Sequence, residues 1–235
     1  MSGQKKLPRI LCLHGAGSSA AIYRVQGRKI FSGLRNDFQF EFVESPFRSS
    51  SGPGMELFAD SPPFYRWQCD MGASLSFDIT ADEVRAERQK VTDLLEGALL
   101  KKADGKQPFV GIMAFSQGAR VATGLLLHLA RMRRQGCDKY YNIRFAIISN
   151  ATYPPLFLDD EMPETAEVLT IPTLHLHGSN DPWRPESEEM LAKFFDHESA
   201  KTILFEGKHQ LPLLQADVDK VLVGIRGLAG ASSPP

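Results

Sequence analysis

Three side chains in this sequence could act together on an acyl carbon: Ser116, Asp181 and His209. A serine hydroxyl is a poor nucleophile near neutral pH and needs a base beside it. A histidine can take that proton and later return it to a leaving group. An aspartate behind the histidine can fix its tautomer and stabilise its charged form. Ser116 lies in Ala114-Phe115-Ser116-Gln117-Gly118, a G/A-x-S-x-G pentapeptide. Alone, such a pentapeptide arises often by chance, so its setting matters. The apolar run Phe109–Phe115 stops at Ser116 and a small-residue segment follows. This reads as a buried strand, a sharp turn and a helix. A turn that tight brings strand and helix together, so the positions two before and two after the serine must be small. Ala114 and Gly118 qualify. The turn also sets the hydroxyl at a helix N-terminus, where backbone N–H groups stabilise an oxyanion. The plain alternative, a helix N-cap at Ser116, leaves the strand and the small neighbours unexplained.

The partners of Ser116 have competitors. Asp181 stands in Gly178-Ser179-Asn180-Asp181-Pro182, after an apolar strand and before a helix, and could instead cap a turn. Asp159 and Asp160 lie in the loop after the preceding strand, another place for the acid. Of the histidines, His175 and His177 fall in or at the end of an apolar strand, His128 in the helix after Ser116, and His197 at a helix end. His14 is placed to brace the loop after the first strand. Only His209 combines a post-strand loop with the chain order Ser, Asp, His. An oxyanion needs two donors. One is the N–H of Gln117, and the other is sought in the loop after the first strand, at Ala16 or Gly17. That loop also supports a rival. Gly15-Ala16-Gly17-Ser18-Ser19-Ala20 fits G-x-G-x-x-A, and Glu44 ends the second strand, as in an NAD(P)-binding Rossmann oxidoreductase. The rival leaves Ser116, Asp181 and His209 aligned by accident.

The elements that must position these residues alternate regularly. Strands are expected at Leu7–Leu13, Phe38–Val43, Phe109–Phe115, Phe145–Ser149, Leu174–His177 and Thr202–Phe205. Helices are expected at about 19–34, with Ile22, Val25, Ile30 and Leu34 inward, and at 80–102 behind a Thr80–Glu83 capping box. Further helices are expected at 117–135, 185–197 and 211–227. Most strands are continuous apolar runs, as in a mostly parallel sheet covered by helices on both faces. Ligands bind at the C-terminal ends of strands in such sheets, where His14-Gly15, Ser116, Asp181 and His209 all fall. The class is α/β, and the motif order makes it the α/β-hydrolase fold. The chain reads as one domain, 1–235, with two irregular insertions at the active edge, 44–79 and 150–170, and a frayed tail at 230–235.

Composition excludes several classes. A net charge of -1 argues against nucleic-acid and anionic-membrane surfaces. Three cysteines at no metal-like spacing read as reduced thiols in a cytoplasmic protein. No cofactor and no metal is expected. The N-terminus has no apolar signal segment, and no run is long enough to span a membrane.

On these motifs taken together, the sequence resembles the FSH family of serine hydrolases. The resemblance rests on Leu11-Cys12-Leu13-His14-Gly15, the segment Gly111 to Ala119, His177 to Pro182 and Gly207-Lys208-His209, with Ala114 where glycine is commoner. It supports Ser116, Asp181 and His209 residue by residue. The stretches Ser51-Gly52-Pro53-Gly54 and Pro62 to Trp67 are similar to the fungal branch. There the resemblance implies polyketide thioesterases, which release an acyl chain from the carrier domain of a polyketide synthase; other members resemble short-chain carboxylesterases. The substrate expected is therefore a small-molecule or carrier-bound acyl ester or thioester, with acyl transfer sharing the same acyl-enzyme. From the residues, the insertion aromatics Phe64, Tyr65, Trp67 and Tyr153, with Trp183 after Asp181, could wall a lipophilic pocket. Equally, the insertion aromatics, with Phe47, Phe58, Phe77 and Phe157, could form a small core that holds the loops down. Arg131, Arg133 and Arg134 form a basic cluster explained by the helix dipole, with an acidic carrier-docking patch as the alternative.

Overall fold

A computed structural model describes residues 6–69, 80–100, 107–137, 142–156, 158 and 168–231. The central sheet has six strands: β1 (Arg9–Leu13), β2 (Gln39–Val43), β5 (Phe109–Phe115), β6 (Phe145–Ser149), β7 (Thr173–Gly178) and β8 (Ala200–Phe205). Their order across the sheet is β2-β1-β5-β6-β7-β8. Every adjacent pair is parallel. The inner strands β1, β5, β6 and β7 are buried throughout, whereas β8 at the edge is largely exposed. That difference is why most of the inner strands read as apolar runs, although β7 carries Thr173, His175 and His177.

Successive strand residues point to opposite faces, so the sheet divides two cores. Leu11, Leu13, Ile112, Ala114 and Ile148 pack with α3 (Ala81–Leu100), α4 (Gln117–Arg134) and α5 (Arg184–Phe194). Ile10, Cys12, Met113, Phe115 and Ile147 pack with α1 (Ala20–Gln26), α2 (Arg28–Gly33) and α6 (Gln215–Ala231). Burial raises the Cys12 thiol pKa well above its ordinary value, in keeping with a core residue. Helix α3 opens on the expected capping box: Glu83 N–H donates to Thr80 Oγ1, and Thr80 N–H donates to Glu83 Oε2 at 2.8 Å.

The helix expected over 19–34 is two. Gly27 caps α1 and precedes α2, and a Cβ there would lie 2.3 Å from the Phe31 ring. The break changes the buried face. Ile22, Tyr23, Ile30 and Leu34 point inward, while Val25 is 47% exposed. The last helix begins at Gln215, because 208–214 form the loop that carries His209. Helix α5 stops at Phe194, since Phe195 turns extended and bridges to Leu169. Gly230 and Ala231 continue α6 instead of fraying, and the remaining tail lies outside the described residues.

The first insertion contains a small antiparallel pair, β3 (Phe47–Ser49) with β4 (Phe64–Arg66). It is fastened to the loop after β1: Gly17 N–H donates to Tyr65 O, and Tyr65 N–H to Ser18 O, both at 2.8 Å. Arg66 makes a two-point pair with Glu87 on α3, at 2.8 and 2.7 Å. Glu87 also accepts from Cys69 N–H. The second insertion is tied to α4 and α5: Arg120 Nε donates to Pro154 O, and Tyr153 N–H to Glu186 Oε2. Phe77, Phe157, Asp159 and Asp160 lie outside the described residues.

Candidate active site

Ser116 occupies the turn between β5 and α4 with φ 53 and ψ -122. A positive φ is uncommon for a residue with a Cβ and marks a conformation that its surroundings impose. Those surroundings are visible. Ser116 N–H donates to Ser149 O at 3.0 Å, and Ser116 O accepts from Ala119 and Arg120. A Cβ at Gly118 would sit 2.4 Å from the His14 carbonyl oxygen and 2.5 Å from that of Leu13. Position 118 must therefore be glycine for α4 to pass this close to β1. The Ser116 hydroxyl caps no helix N–H, which removes the plain N-cap role.

Instead, Ser116 Oγ lies 2.9 Å from His209 Nε2, and His209 Nδ1 lies 2.8 Å from Asp181 Oδ2. An ionised carboxylate only accepts, so Nδ1–H donates to Asp181. In the neutral ring this leaves Nε2 as the acceptor for the serine O–H. The Asp181 side chain is almost completely buried. Its second oxygen accepts from Trp183 N–H at 2.9 Å. The His209 ring is flanked by Phe115 and Trp183, with centroids 5.0 and 4.6 Å away. The three residues that sequence spacing selects thus form one hydrogen-bonded chain at the C-terminal ends of β5, β7 and β8.

A fourth residue holds that chain, and its type and spacing alone did not single it out. Asn150 follows β6, is fully buried and has φ 44. Its Oδ1 accepts from Gly178 N–H at 3.1 Å, at the start of the turn to Asp181. Its Nδ2 donates to the carbonyls on either side of His209, to Gln210 O at 2.8 Å and to Lys208 O at 3.4 Å. One side chain therefore ties the acid's loop to the histidine's loop. Asn150→Gly tolerates the same φ but loses every one of these bonds. It is expected to lower kcat by roughly 10–100-fold, as small misplacements of reacting groups do, with KM within about a factor of two. Steady-state kinetics on a soluble acyl thioester checks this.

The oxyanion donors are partly corrected. Gln117 is the first residue of α4, where no carbonyl of its own helix can receive its N–H. Its side chain fastens the first insertion, since Oε1 accepts from Trp67 N–H and Nε2 donates to Gln68 O, at 2.8 and 3.0 Å. Gly17 is not available, because its N–H is spent on Tyr65 O. Its φ of 64 and the backbone of Gly52 leave no room for a Cβ. Of the two expected positions, Ala16 is the one whose N–H has no partner among the described residues. His14 holds this loop from beneath, with Nδ1 2.7 Å from Gly15 O and Nε2 accepting from Ser45 N–H at 3.1 Å.

The dinucleotide alternative fails here. Glu44 Oε1 accepts from Ala20 N–H, and the Ser19 hydroxyl accepts from Ile22 N–H. With Gly17 N–H also engaged by Tyr65 O, two of the loop's N–H groups, those of Gly17 and Ala20, are already spent. Glu44 lies beside His14, 2.9 Å from Nε2.

The expected pocket residues divide. Trp67 is fully buried, its indole N–H donating to His14 O at 2.7 Å, and Phe64 is buried with Ile22 and Met55. Both therefore anchor the insertion and wall no open cleft. Tyr65 is half-buried under the Arg48 guanidinium, and Tyr153 packs toward Phe194 with Lys193 over its ring. Trp183 is the expected pocket residue that touches the histidine. Of the remaining histidines, His128 pairs with Glu96. His175 is interior against Phe195, and burial lowers its pKa to about 3. Arg131, Arg133 and Arg134 sit at the far end of α4, roughly 22 to 27 Å along the helix from Ser116. Among the described residues no cluster of three or more His, Cys, Asp and Glu side chains could hold a metal. No helix among them is long and apolar enough to cross a membrane.

Comparison with known proteins gives the family. The profile of the serine hydrolase (FSH1) family matches residues 1–221. The chain belongs to this family. It is 38% identical to thioesterase FSL2 of Gibberella zeae over 232 residues, covering 92% of this chain and 90% of that one. It is 31% identical to esterase citA of Monascus ruber over 257 residues, covering 97% and 95%. Among solved structures it is similar to esterase PE8, with a TM-score of 0.58, 18% identity and coverage of 95% and 93%. It is also similar to YbtT, a type II thioesterase, with a TM-score of 0.56, 13% identity and coverage of 99% and 97%. At these identities the structures speak for the fold alone, and the fold is that of the α/β-hydrolases.

Proposed function

We propose that this serine hydrolase uses Ser116, His209 and Asp181 as a catalytic triad to hydrolyse a thioester or ester of an apolar acyl group. The observation that carries the reading is the unbroken chain from Ser116 Oγ through His209 to Asp181, at 2.9 and 2.8 Å. His209 Nε2 takes the serine proton as Oγ attacks the acyl carbon. The oxyanion forms at the head of α4, against the N–H groups of Gln117 and Ala16. His209 then gives its proton to the departing thiol or alcohol, leaving an acyl-enzyme on Ser116. Water enters, loses a proton to His209 and attacks the acyl carbon. The acid leaves, and the proton returns to Ser116. Asp181 keeps Nδ1–H oriented and stabilises the imidazolium at each transfer.

The substrate in this reading is a thioester, on the strength of a 38% identical relative named as a thioesterase; a polyketide chain on a synthase carrier domain is the form that the resemblance to the fungal branch implies. The other relative reported above, named as an esterase, favours small oxygen esters as a second reading. A panel of acyl thioesters and oxygen esters of rising chain length tests both. The thioesterase reading expects higher kcat/KM for thioesters at every length. A consistent preference for oxygen esters would overturn it, and product analysis with a competing alcohol or amine would expose acyl transfer.

A further inference from the structure

Between α2 and α6 the surface forms a groove lined by Arg28, Lys29, Ser32, Arg35, Asn36 and Gln215. Its floor is the contact of Gly33 with Leu222, where a Cβ on 33 would lie 2.7 Å from Leu222. Among the described residues no carboxylate lines it. From Ala20 to Asn36 the chain carries Arg24, Arg28, Lys29 and Arg35 and no Asp or Glu, although the net charge of the whole is -1. Among the described residues none of these four cations pairs with a carboxylate. Arg28 donates to Val25 O, Arg35 to Ser32 Oγ and Lys29 to Leu213 O, and Arg24 lies over the Phe42 ring. The nearby acids are turned to partners of their own: Asp37 to Arg226, Asp217 to Lys220 and Asp219 to Gln215.

One end of the groove touches the loop that carries His209. Lys29 Nζ holds Leu213 O at 2.6 Å, and Leu213 lies on the loop that carries His209. Around this end Val25, Leu213 and Leu214 are 47%, 48% and 51% exposed, an apolar shoulder beside the cations. Exposed apolar residues rimmed by charge of one sign suit a protein surface of opposite charge. The basic cluster at Arg131, Arg133 and Arg134 does not match this pattern. It lies at the far end of α4, and each of its residues has other interactions.

We infer that the α2–α6 groove and its apolar shoulder dock an acidic carrier domain that delivers the acyl thioester to Ser116. The inference rests on the carrier-bound thioester reading above. The cations steer and orient the acidic face of the carrier, and Val25, Leu213 and Leu214 receive its apolar residues next to the His209 loop.

The test compares the full-length enzyme with an Arg28→Glu/Arg35→Glu variant. The substrates are an octanoyl-loaded acidic acyl carrier protein and the small thioester S-octanoyl-pantetheine. Binding of the octanoyl carrier is measured separately by fluorescence anisotropy on a Ser116→Ala background. The expected result is a fall of about tenfold or more in carrier affinity and in kcat/KM on the carrier, and a weaker salt dependence. The small thioester should be cleaved within about twofold of normal. Equal carrier binding by both proteins overturns the docking site, as does an equal loss on both substrates. Groove-dependent binding to phosphatidylserine vesicles without carrier binding overturns it in favour of a membrane surface. Groove-dependent carrier binding with no turnover of the carrier thioester keeps the docking site but removes the thioesterase reading.

Discussion

Ser116→Ala is expected to lower kcat by about 10⁶-fold, the scale on which serine hydrolases lose activity without their nucleophile. Labelling by a fluorophosphonate probe should vanish with it. The effect is large because nothing else can take over the attack. The Ser116 hydroxyl is the group that His209 Nε2 holds at 2.9 Å, and a water admitted in its place would lack the pre-set position at the head of α4. The fold should survive. The hydroxyl caps no helix N–H, and the backbone bonds of residue 116 to Ser149, Ala119 and Arg120 involve no side-chain atom. Alanine bears the same φ of 53 at similar cost. Thermal unfolding should therefore shift little while turnover falls to background. Wild-type turnover in this variant would remove Ser116 from the chemistry altogether.

Ser116 stands out in the sequence for a steric reason. A turn with so little space restricts both flanks, and Ala114 and Gly118 are the visible mark of that restriction. The inner strands were legible for a similar reason: β1, β5, β6 and β7 are buried on both faces, so their composition is mostly apolar, with polar exceptions such as His175 and His177 in β7. Asn150 left no such mark. Its partners lie 28, 58 and 60 residues away, and a lone asparagine after a strand is also what an ordinary turn contains. Gly17 misled for a tertiary reason, since nothing in the loop itself says that Tyr65 will arrive to accept its N–H. The aromatic insertion was ambiguous because rings that wall a pocket and rings that hold a loop down have the same composition. Trp67 and Phe64 proved to be anchors, and only burial separates the two uses. The helix break at Gly27 likewise depends on the Phe31 ring filling the space where a Cβ would go.

Asp181→Asn should lower kcat by about 10⁴-fold, with KM changed little. The geometry says why a nearly isosteric change costs so much. Asp181 receives Trp183 N–H on one oxygen and His209 Nδ1–H on the other. Asparagine has one oxygen to offer, and Trp183 N–H, fixed by the backbone, claims it. The amide NH₂ then faces Nδ1 and can only donate. His209 must accept there, which moves its proton to Nε2, against Ser116 Oγ. The ring in that tautomer cannot take the serine proton, although every heavy atom stays in place. Fluorophosphonate labelling should slow in parallel with kcat, because both need the same deprotonation. The Ser116→Ala/Asp181→Asn double variant should be no slower than Ser116→Ala alone, since Asp181 acts through the serine. A near-normal rate for Asp181→Asn would instead assign the acid to Asp159 or Asp160. The same change made in Asn150→Gly separates a positioning role from a general loosening of the fold. If Asn150 works by holding His209 against Asp181, its loss should cost much less once Asp181 no longer fixes the tautomer. A loosened fold would multiply the two losses.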